Sequence, residues 1–291
     1  MELWFVAVTV ATLFSGLANF FFKMAARKGY DSESFQTYGG LFSIVYIFPI
    51  TFIFSTFAIN PLALLISFLA GAVAAGGGVG KVYALRYIDT TIFFPLFKLL
   101  SPLIAIGLGL VLFSESYTVL EWAGLLAGLL VPLLLITKAE NKRQHNLSLG
   151  LALVFVTGVI SAGSAAANNI AIDIAPLVLP NLAAASLGVA VGGILIICYR
   201  HGITYAYSHI RSHSSPELMK WALLRSVLVS TSLGLVLYAY GAGGGLAVVH
   251  TVLSLYIVIT ILLSIIFYNE HWNLQKILAV VLSVVALGLL G

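Results

Sequence analysis

Apolar runs of about 20 residues, the length that crosses a hydrocarbon core, follow one another along nearly the whole chain. They predict helices near 3–26, 37–59, 61–85, 91–113 and 118–137, then near 147–172, 176–199, 217–240, 245–268 and 272–290. The joints between them have local logic. Asn60-Pro61 and Ser215-Pro216 read as helix starts, because proline suits the first helical turn. Asn146-Leu-Ser148 offers an N-cap, and Gly241-Ala-Gly-Gly-Gly245 a tight turn. The N-terminus lacks a basic leader and its first apolar run is too long for a signal peptide, so that run reads as an uncleaved first span.

The pattern also repeats. At an offset of 155 residues, Tyr83-Ala84 recurs as Tyr238-Ala239 and Glu115 as Glu270, with no gap between the pairs. The stretch Gly109 to Glu115 lies over Ser264 to Glu270, and Trp122 to Gly128 over the small apolar run Ile277 to Ser283. Two units follow, 1–140 and 141–291, each with five predicted helices. An odd number of helices per unit makes the second unit enter the membrane from the opposite side. The expected fold is therefore an all-α integral membrane protein of ten transmembrane helices in two inverted five-helix repeats, an architecture of secondary transporters.

Charge orients this frame. Lys23, Arg27 and Lys28 flank the first connection, Lys81 and Arg86 the third, and Lys138, Lys142 and Arg143 the fifth. Arg200, Arg211 and Lys220 flank the seventh, and Lys276 follows the ninth. The even connections carry Glu115, Glu121 and Asp173 and no Lys or Arg. The positive-inside rule then makes the odd connections cytoplasmic and leaves both termini outside, most naturally in a prokaryotic inner or plasma membrane.

Composition removes the soluble alternatives. With 61% hydrophobic and 8% charged residues and a mean hydropathy of +1.09, the chain cannot coat itself in water-compatible surface, since soluble domains are about 25% charged. The net charge of +4 is accordingly no sign of a nucleic-acid partner. The partners expected are a lipid bilayer and a small-molecule substrate, and ten helices suffice for a monomeric pathway. Cys198 is the single cysteine, which excludes an internal disulfide and a Cys-based metal cluster. No cofactor is expected, and no Gly-Lys-Ser/Thr phosphate loop provides for ATP coupling.

Each half ends in an apolar helix, an acid at a tight turn and a Gly-bearing final helix: Leu112-Phe-Ser-Glu115, Glu121-Trp-Ala-Gly124 and Gly128, then Phe267-Tyr-Asn-Glu270 and Gly288. The first helix of each half carries a small-residue and asparagine segment, Ser15-Gly-Leu-Ala-Asn19 and Ser164-Ala-Ala-Ala-Asn168-Asn169. In these features the chain resembles the drug/metabolite transporter superfamily, in particular its EamA-like members. The resemblance covers nearly the whole chain. It implies the ten-helix fold and transport of a small metabolite, with both termini in the cytosol, opposite to the charge count. The membrane-embedded glutamate of the small multidrug members' first helix is absent, which argues against cationic drugs.

Intramembrane polar groups are costly unless they face a cavity or a partner. The fourth helix reads Phe94-Pro95-Leu-Phe-Lys98-Leu-Leu-Ser101-Pro102, and its prolines are expected to kink or break it. Lys98, about 10 Å into that helix, either lines a cavity or snorkels to the headgroups. Arg225, about 12–14 Å into the eighth span, requires backbone carbonyls or an exchangeable anion. Lys23 and Lys81 read as interfacial anchors, with lining of the vestibule as the alternative. Asn19, Asn168 and Asn169 can hydrogen-bond substrate or backbone, and Tyr83 and Tyr238 either stack on substrate or pack. His250, aligned with Pro95, serves as a proton relay or as a simple hydrogen-bonding group. His209 and His213 have the i, i+4 spacing of a helical metal pair, but in a basic loop with no adjacent carboxylate in sequence they read as a solvated segment. The third-helix glycines, Gly76 to Gly80, and the pairs Gly124/Gly128 and Gly188/Gly192 serve close helix packing or line a cavity.

Four functions fit these features. The first is a secondary active transporter, an exporter or exchanger, of a small polar metabolite such as an organic anion or an amino-acid-like compound. The second is a cationic-drug or multidrug exporter of the same superfamily. The third is an integral-membrane enzyme modifying lipid, for which the converging acids, metal cluster or activated nucleophile are missing from the sequence; no enzymatic activity is expected. The fourth is a receptor or assembly subunit without transport. The topology has a direct check. Reporter fusions at Gly291 and beside Arg211 are expected on opposite sides of the membrane, with the Arg211 fusion cytoplasmic. A cytoplasmic signal from Gly291 overturns the assignment.

Overall fold

The computed structural model describes residues 2–55, 59–88, 90–136, 146–268 and 273–291, and among them every regular element is an α-helix. In chain order these are α1 (Leu3–Arg27), α2 (Ser32–Phe54), α3 (Pro61–Tyr87), α4 (Thr90–Leu112), α5 (Val119–Leu134), α6 (Leu147–Ile174), α7 (Val178–His201), α8 (Ile203–Ser212), α9 (Pro216–Gly241), α10 (Leu246–Ser254), α11 (Tyr256–Tyr268) and α12 (Leu274–Leu290). Asp89, Lys138, Lys142, Arg143 and Glu270, and the side chains of Lys23, Arg27 and Arg86, lie outside the described residues. Eight segments are long and apolar enough to cross a membrane, the α10–α11 pair counting as one, and α5 and α12 are shorter apolar helices. Apolar side chains such as Val45, Phe52, Phe54, Val111 and Val119 cover the outside of the bundle, as lipid solvation requires.

The helix starts follow from their caps. Asn60 accepts from the Leu62 and Ala63 N–H groups ahead of Pro61, and Ser215 from the Leu218 N–H beside Pro216. Thr118 and Glu121 form a reciprocal capping box at α5, while Asp31, Asn146 and Asn273 cap α2, α6 and α12. Such side chains replace the partners that first-turn N–H groups lack.

Two features differ from expectation. The fourth helix is unbroken through Pro95 and Pro102, whereas the predicted single helix over 245–268 divides at Leu255 into α10 and α11 without any proline. A membrane proline removes one hydrogen bond and is tolerated inside a bundle. The break at Leu255 is supported from outside the helix. The Val252 carbonyl accepts from the Leu255 N–H and shares the Thr12 hydroxyl of α1, 3.2 Å away, with the Val8 carbonyl at 2.8 Å. The second difference is α8, a short polar helix within the stretch expected to be a plain connection.

Packing joins early helices to late ones. α3 lies against α6 and α7, α9 against α1 and α2, α2 against α7, α5 against α12 and α4 against α10; α4 meets α6 as α10 and α11 meet α1. Exchanging the first five helices with their later counterparts leaves these pairings unchanged. Facing residues give directions. Ser67 with Asn181, Gly71 with Ala185 and Ala75 with Gly192 make α3 and α7 parallel. Ala70 with Ser164, Gly77 with Ile160 and Gly80 with Thr157 make α3 and α6 antiparallel. At one end of the bundle the α1–α2 connection meets α8 and the start of α9, through Asp31 with His209 and Lys28 with Glu217. At the other end both termini meet, Gly291 against Phe5, and Glu115 reaches Leu246.

The α3–α7 contact is the tightest. A Cβ added at Gly71 would lie 2.0 Å from the Ala185 carbonyl oxygen, and one at Gly188 2.0 Å from that of Phe68. Gly76, by contrast, has nothing within 4 Å of such an atom. Gly188→Ala is therefore expected to lower stability by about 1–3 kcal/mol or more, as overpacking does. Gly76→Ala should be neutral or stabilising by up to about 1 kcal/mol. Thermal unfolding of the two detergent-purified variants beside the parent checks both.

Candidate functional site

Lys98 projects from α4 into the middle of the bundle and is only 8% exposed. Its Nζ lies 3.7 Å from the centroid of the Tyr256 ring and 5.1 Å from that of Phe97. Lys81 of α3 sits over the same Phe97 ring at 4.3 Å. The ring is held in place by Phe93, stacked on it one helical turn away with centroids 5.9 Å apart and planes 4° from parallel. Tyr256 stands immediately after the break in the α10–α11 segment. Its hydroxyl donates to Asn19 Oδ1 at 3.2 Å, while Asn19 Nδ2 donates to the Ser15 carbonyl at 2.8 Å. The interrupted helix thus aims a tyrosine face at Lys98, and α1 fixes its angle.

Arg225 of α9 adds a third cation, its guanidinium carbon 5.7 Å from the Phe35 ring centroid on α2. The three charges share one level. Lys81 is six residues before the end of α3, Lys98 eight after the start of α4 and Arg225 nine after the start of α9. At 1.5 Å per residue, each is roughly 9–14 Å from the bundle end where α8 lies. Lys81 interacts electrostatically with both Lys98 and Arg225. Among the described residues, no carboxylate comes within ion-pair distance of Lys81 or Lys98. Deeper in the bundle, Ser101 of α4 and His250 Nε2 of α10 are 2.8 Å apart and both buried.

Energies indicate what this centre lacks. A cation on an aromatic face gains about 0.5–2 kcal/mol, whereas withdrawing an ion from water costs several kcal/mol even after relaxation. Two lysines over one phenyl ring also repel each other. An anion placed between them would meet both charges at once, with Tyr256, Phe97 and Asn19 available to shape the space around it.

Of the residues singled out by sequence, Lys98, Arg225 and Asn19 belong to this centre, and His250 with Ser101 adjoins it. Lys81, expected as an anchor, is part of it. Tyr83 lies nearer the α8 end, its ring 4.7 Å from the Arg200 guanidinium carbon. Asn168 and Asn169 are buried near the far end of α6, where Asn168 Oδ1 has no hydrogen-bond partner; the structure brings neither to Lys98. Tyr238 is 43% exposed on the outside of α9. Phe97 and Tyr256 went unrecognised because one aromatic in an apolar run carries no signal of what it faces.

The repeated acid Glu115 has a structural role. Its carboxylate accepts from the Leu246 N–H and, at 3.3 Å, from the Ala247 N–H, capping α10 from the α4–α5 connection, and it also accepts from the Tyr117 hydroxyl. Burial, then that hydrogen bond, pushes the Tyr117 phenol well above its ordinary pKa.

No family model matches the sequence, and no curated protein matches it. A solved structure described only as "Crystal structure of protein" aligns over 99% of this chain and 98% of its own length, with a TM-score of 0.74 and 16% identity. That likeness runs end to end and is one of fold alone.

Glu115→Ala should cost about 1–2 kcal/mol, because it removes both a cap and a negative charge from a helix N-terminus. Thermal unfolding of the purified variant measures the loss; an unchanged midpoint would show that the contact carries no stability.

Proposed function

We propose that the protein is a secondary transporter of the drug/metabolite type, with ten membrane helices in two inverted five-helix repeats, 1–140 and 141–291. Its cargo is a small organic anion or an amino-acid-like metabolite bearing a carboxylate. One observation carries the cargo class: Lys98, buried, and Lys81, partly buried, share the Phe97 ring, with no carboxylate in ion-pair reach among the described residues. A positive centre attracts anions and repels permanent cations.

The repeat reading is supported by the exchange symmetry of the helix pairings and by their directions, with α6 antiparallel to α3. The centre draws α1, α3 and α4 from the first unit and α9, α10 and α11 from the second. A midplane site between repeats, with an interrupted helix beside it, suits alternating access by rocking. Export or exchange fits a chain without a phosphate-binding loop for ATP. Both termini lie outside in this arrangement, and the α8 end faces the cytoplasm.

The test is flux into and out of liposomes containing the purified protein, screened with anionic, zwitterionic and cationic metabolites. Lys98→Gln should reduce transport of an anion at least about tenfold, since a charge-assisted hydrogen bond is worth about 1.5–3 kcal/mol, while affecting a neutral analogue less. In a Cys198→Ser background, cysteines at Ser101 and Ser254 should change their reagent accessibility when substrate is added. Transport of a permanent cation, or normal anion flux by both Lys98→Gln and Lys81→Gln, overturns the reading.

A further inference from the structure

A second cluster of side chains stands apart from the cationic centre, at the bundle end where the α1–α2 connection, the end of α7 and α8 converge. Glu33, in the first turn of α2, is 5% exposed and its two oxygens are divided. Oε1 pairs with Arg200 Nη1, and Oε2 lies 3.2 Å from His201 Nε2. On α8, His209 Nε2 is buried without a hydrogen-bond partner, although Asp31 Oδ2 is 3.4 Å away. Ligand atoms of Glu33, His201 and His209 all fall within 4.8 Å of one another. Beside them opens a cavity of about 490 Å³ lined by His201, Tyr205, Ser208, His209 and Ser212.

We propose that Glu33, His201 and His209 form a transition-metal site of the Zn²⁺ type, with a water in the fourth position and Asp31 beside His209 as a supporting group. Two imidazoles and one carboxylate are a donor set that suits tetrahedral zinc with water as the fourth ligand. Bonds of about 2.0–2.1 Å in a tetrahedron put neighbouring donors roughly 3.3 Å apart. The Glu33–His201 separation, 3.2 Å, is an edge of that size, and Glu33, His201 and His209 all place ligand atoms within 4.8 Å of one another. The supporting groups are also present. Arg200 holds the Glu33 oxygen that faces away from the histidines, and the Ser34 N–H donates to Asp31 Oδ2 at 2.8 Å. Such outer contacts orient ligands in metal sites. The cavity supplies an entry path.

The i, i+4 partner suggested by the sequence is not the one used. His213 Nδ1 lies 2.9 Å from the His209 carbonyl, which engages it within α8. His201 stacks on His209, with ring centroids 4.0 Å apart and planes 16° from parallel, and His213 lies tilted against the same ring at 4.4 Å but donates no ligand atom to the group. The His201 and His209 rings must splay for both Nε2 atoms to reach one ion. The carboxylates missing from the sequence neighbourhood of His209 come from the start of α2, which corrects the reading of this stretch as merely solvated. A bound ion would tie α2 to α7 and α8.

Tag-free full-length protein, stripped with chelator and held in detergent, can be titrated with Zn²⁺ by calorimetry and with Co²⁺ by visible absorption. One Zn²⁺ per chain is expected, with the intense bands of four-coordinate Co²⁺. His201→Ala and His209→Ala should each weaken Zn²⁺ binding at least about tenfold, as losing even an outer-shell partner does, whereas His213→Ala should leave it unchanged. No saturable binding, binding that survives the double variant His201→Ala/His209→Ala, or only the faint bands of six-coordinate Co²⁺ would overturn the site. The spectrum of the unmutated protein decides even where an alanine variant does not fold.

Discussion

Helices in lipid gain nothing from hiding apolar surface, because the surrounding chains are as apolar as leucine. Association must come from close atomic contact and from hydrogen bonds between helices. Here that requirement is met between α3 and α7, where Gly71, Gly188 and Gly192 let two backbones touch. Asn181 adds a fully engaged amide, accepting from Ser67 Oγ and donating to the Ala175 and Leu177 carbonyls. With that seam fixed, α6 and α2 flank it, and α9 draws on the hydroxyls of Ser230 and Ser232 to hold α2 and α1. Against this frame lie α4, which carries Lys98, and the α10–α11 pair, which carries the histidine and the break, while Lys81 and Arg225 come from α3 and α9 of the frame itself.

Interrupting a membrane helix exposes carbonyls where water is scarce. Thr12 shares its hydroxyl between the Val8 and Val252 carbonyls, so α1 has two tasks at neighbouring levels: it gives the broken helix a contact at Val252 and orients Tyr256 through Asn19. The polar groups around Lys98 therefore form one connected assembly. A change at Asn19 would be felt at the cation through the tyrosine ring, without touching either lysine.

Much of the architecture was legible because lipid imposes its pattern on every exposed helix face. Apolar runs located the long helices, and Asn60, Asn146 and Ser215 marked starts that their side chains do cap. Lys98 and Arg225 stood out because charge at depth is rare. What stayed hidden depends on contacts between distant parts of the chain. Nothing near Leu255 announces a break, since the Thr12 hydroxyl that supports it lies in α1. Lys81 looked like an anchor until Phe97 was seen beneath it. The prolines of α4 were over-read, because a bundle interior absorbs one lost hydrogen bond. The asparagines of α1 and α6 correspond in sequence, yet they sit near opposite ends of the bundle, as an inverted arrangement of the two units would require.

The level of the cations also has an electrical meaning. Lys81 and Lys98 lie about 9–14 Å from the α8 ends of their helices, so an ion reaching them from that side would cross part of the membrane field. A full crossing is worth about 2.3 kcal/mol per charge at 100 mV. In the proposed transporter, loading a monovalent anion from the α8 end would gain the corresponding fraction of that energy. In the proposed orientation the cytoplasm is the negative side, so the resting voltage itself pushes an anion from the cell interior onto the lysines and opposes its return. Voltage would then act as a ratchet on occupancy before any helix has moved.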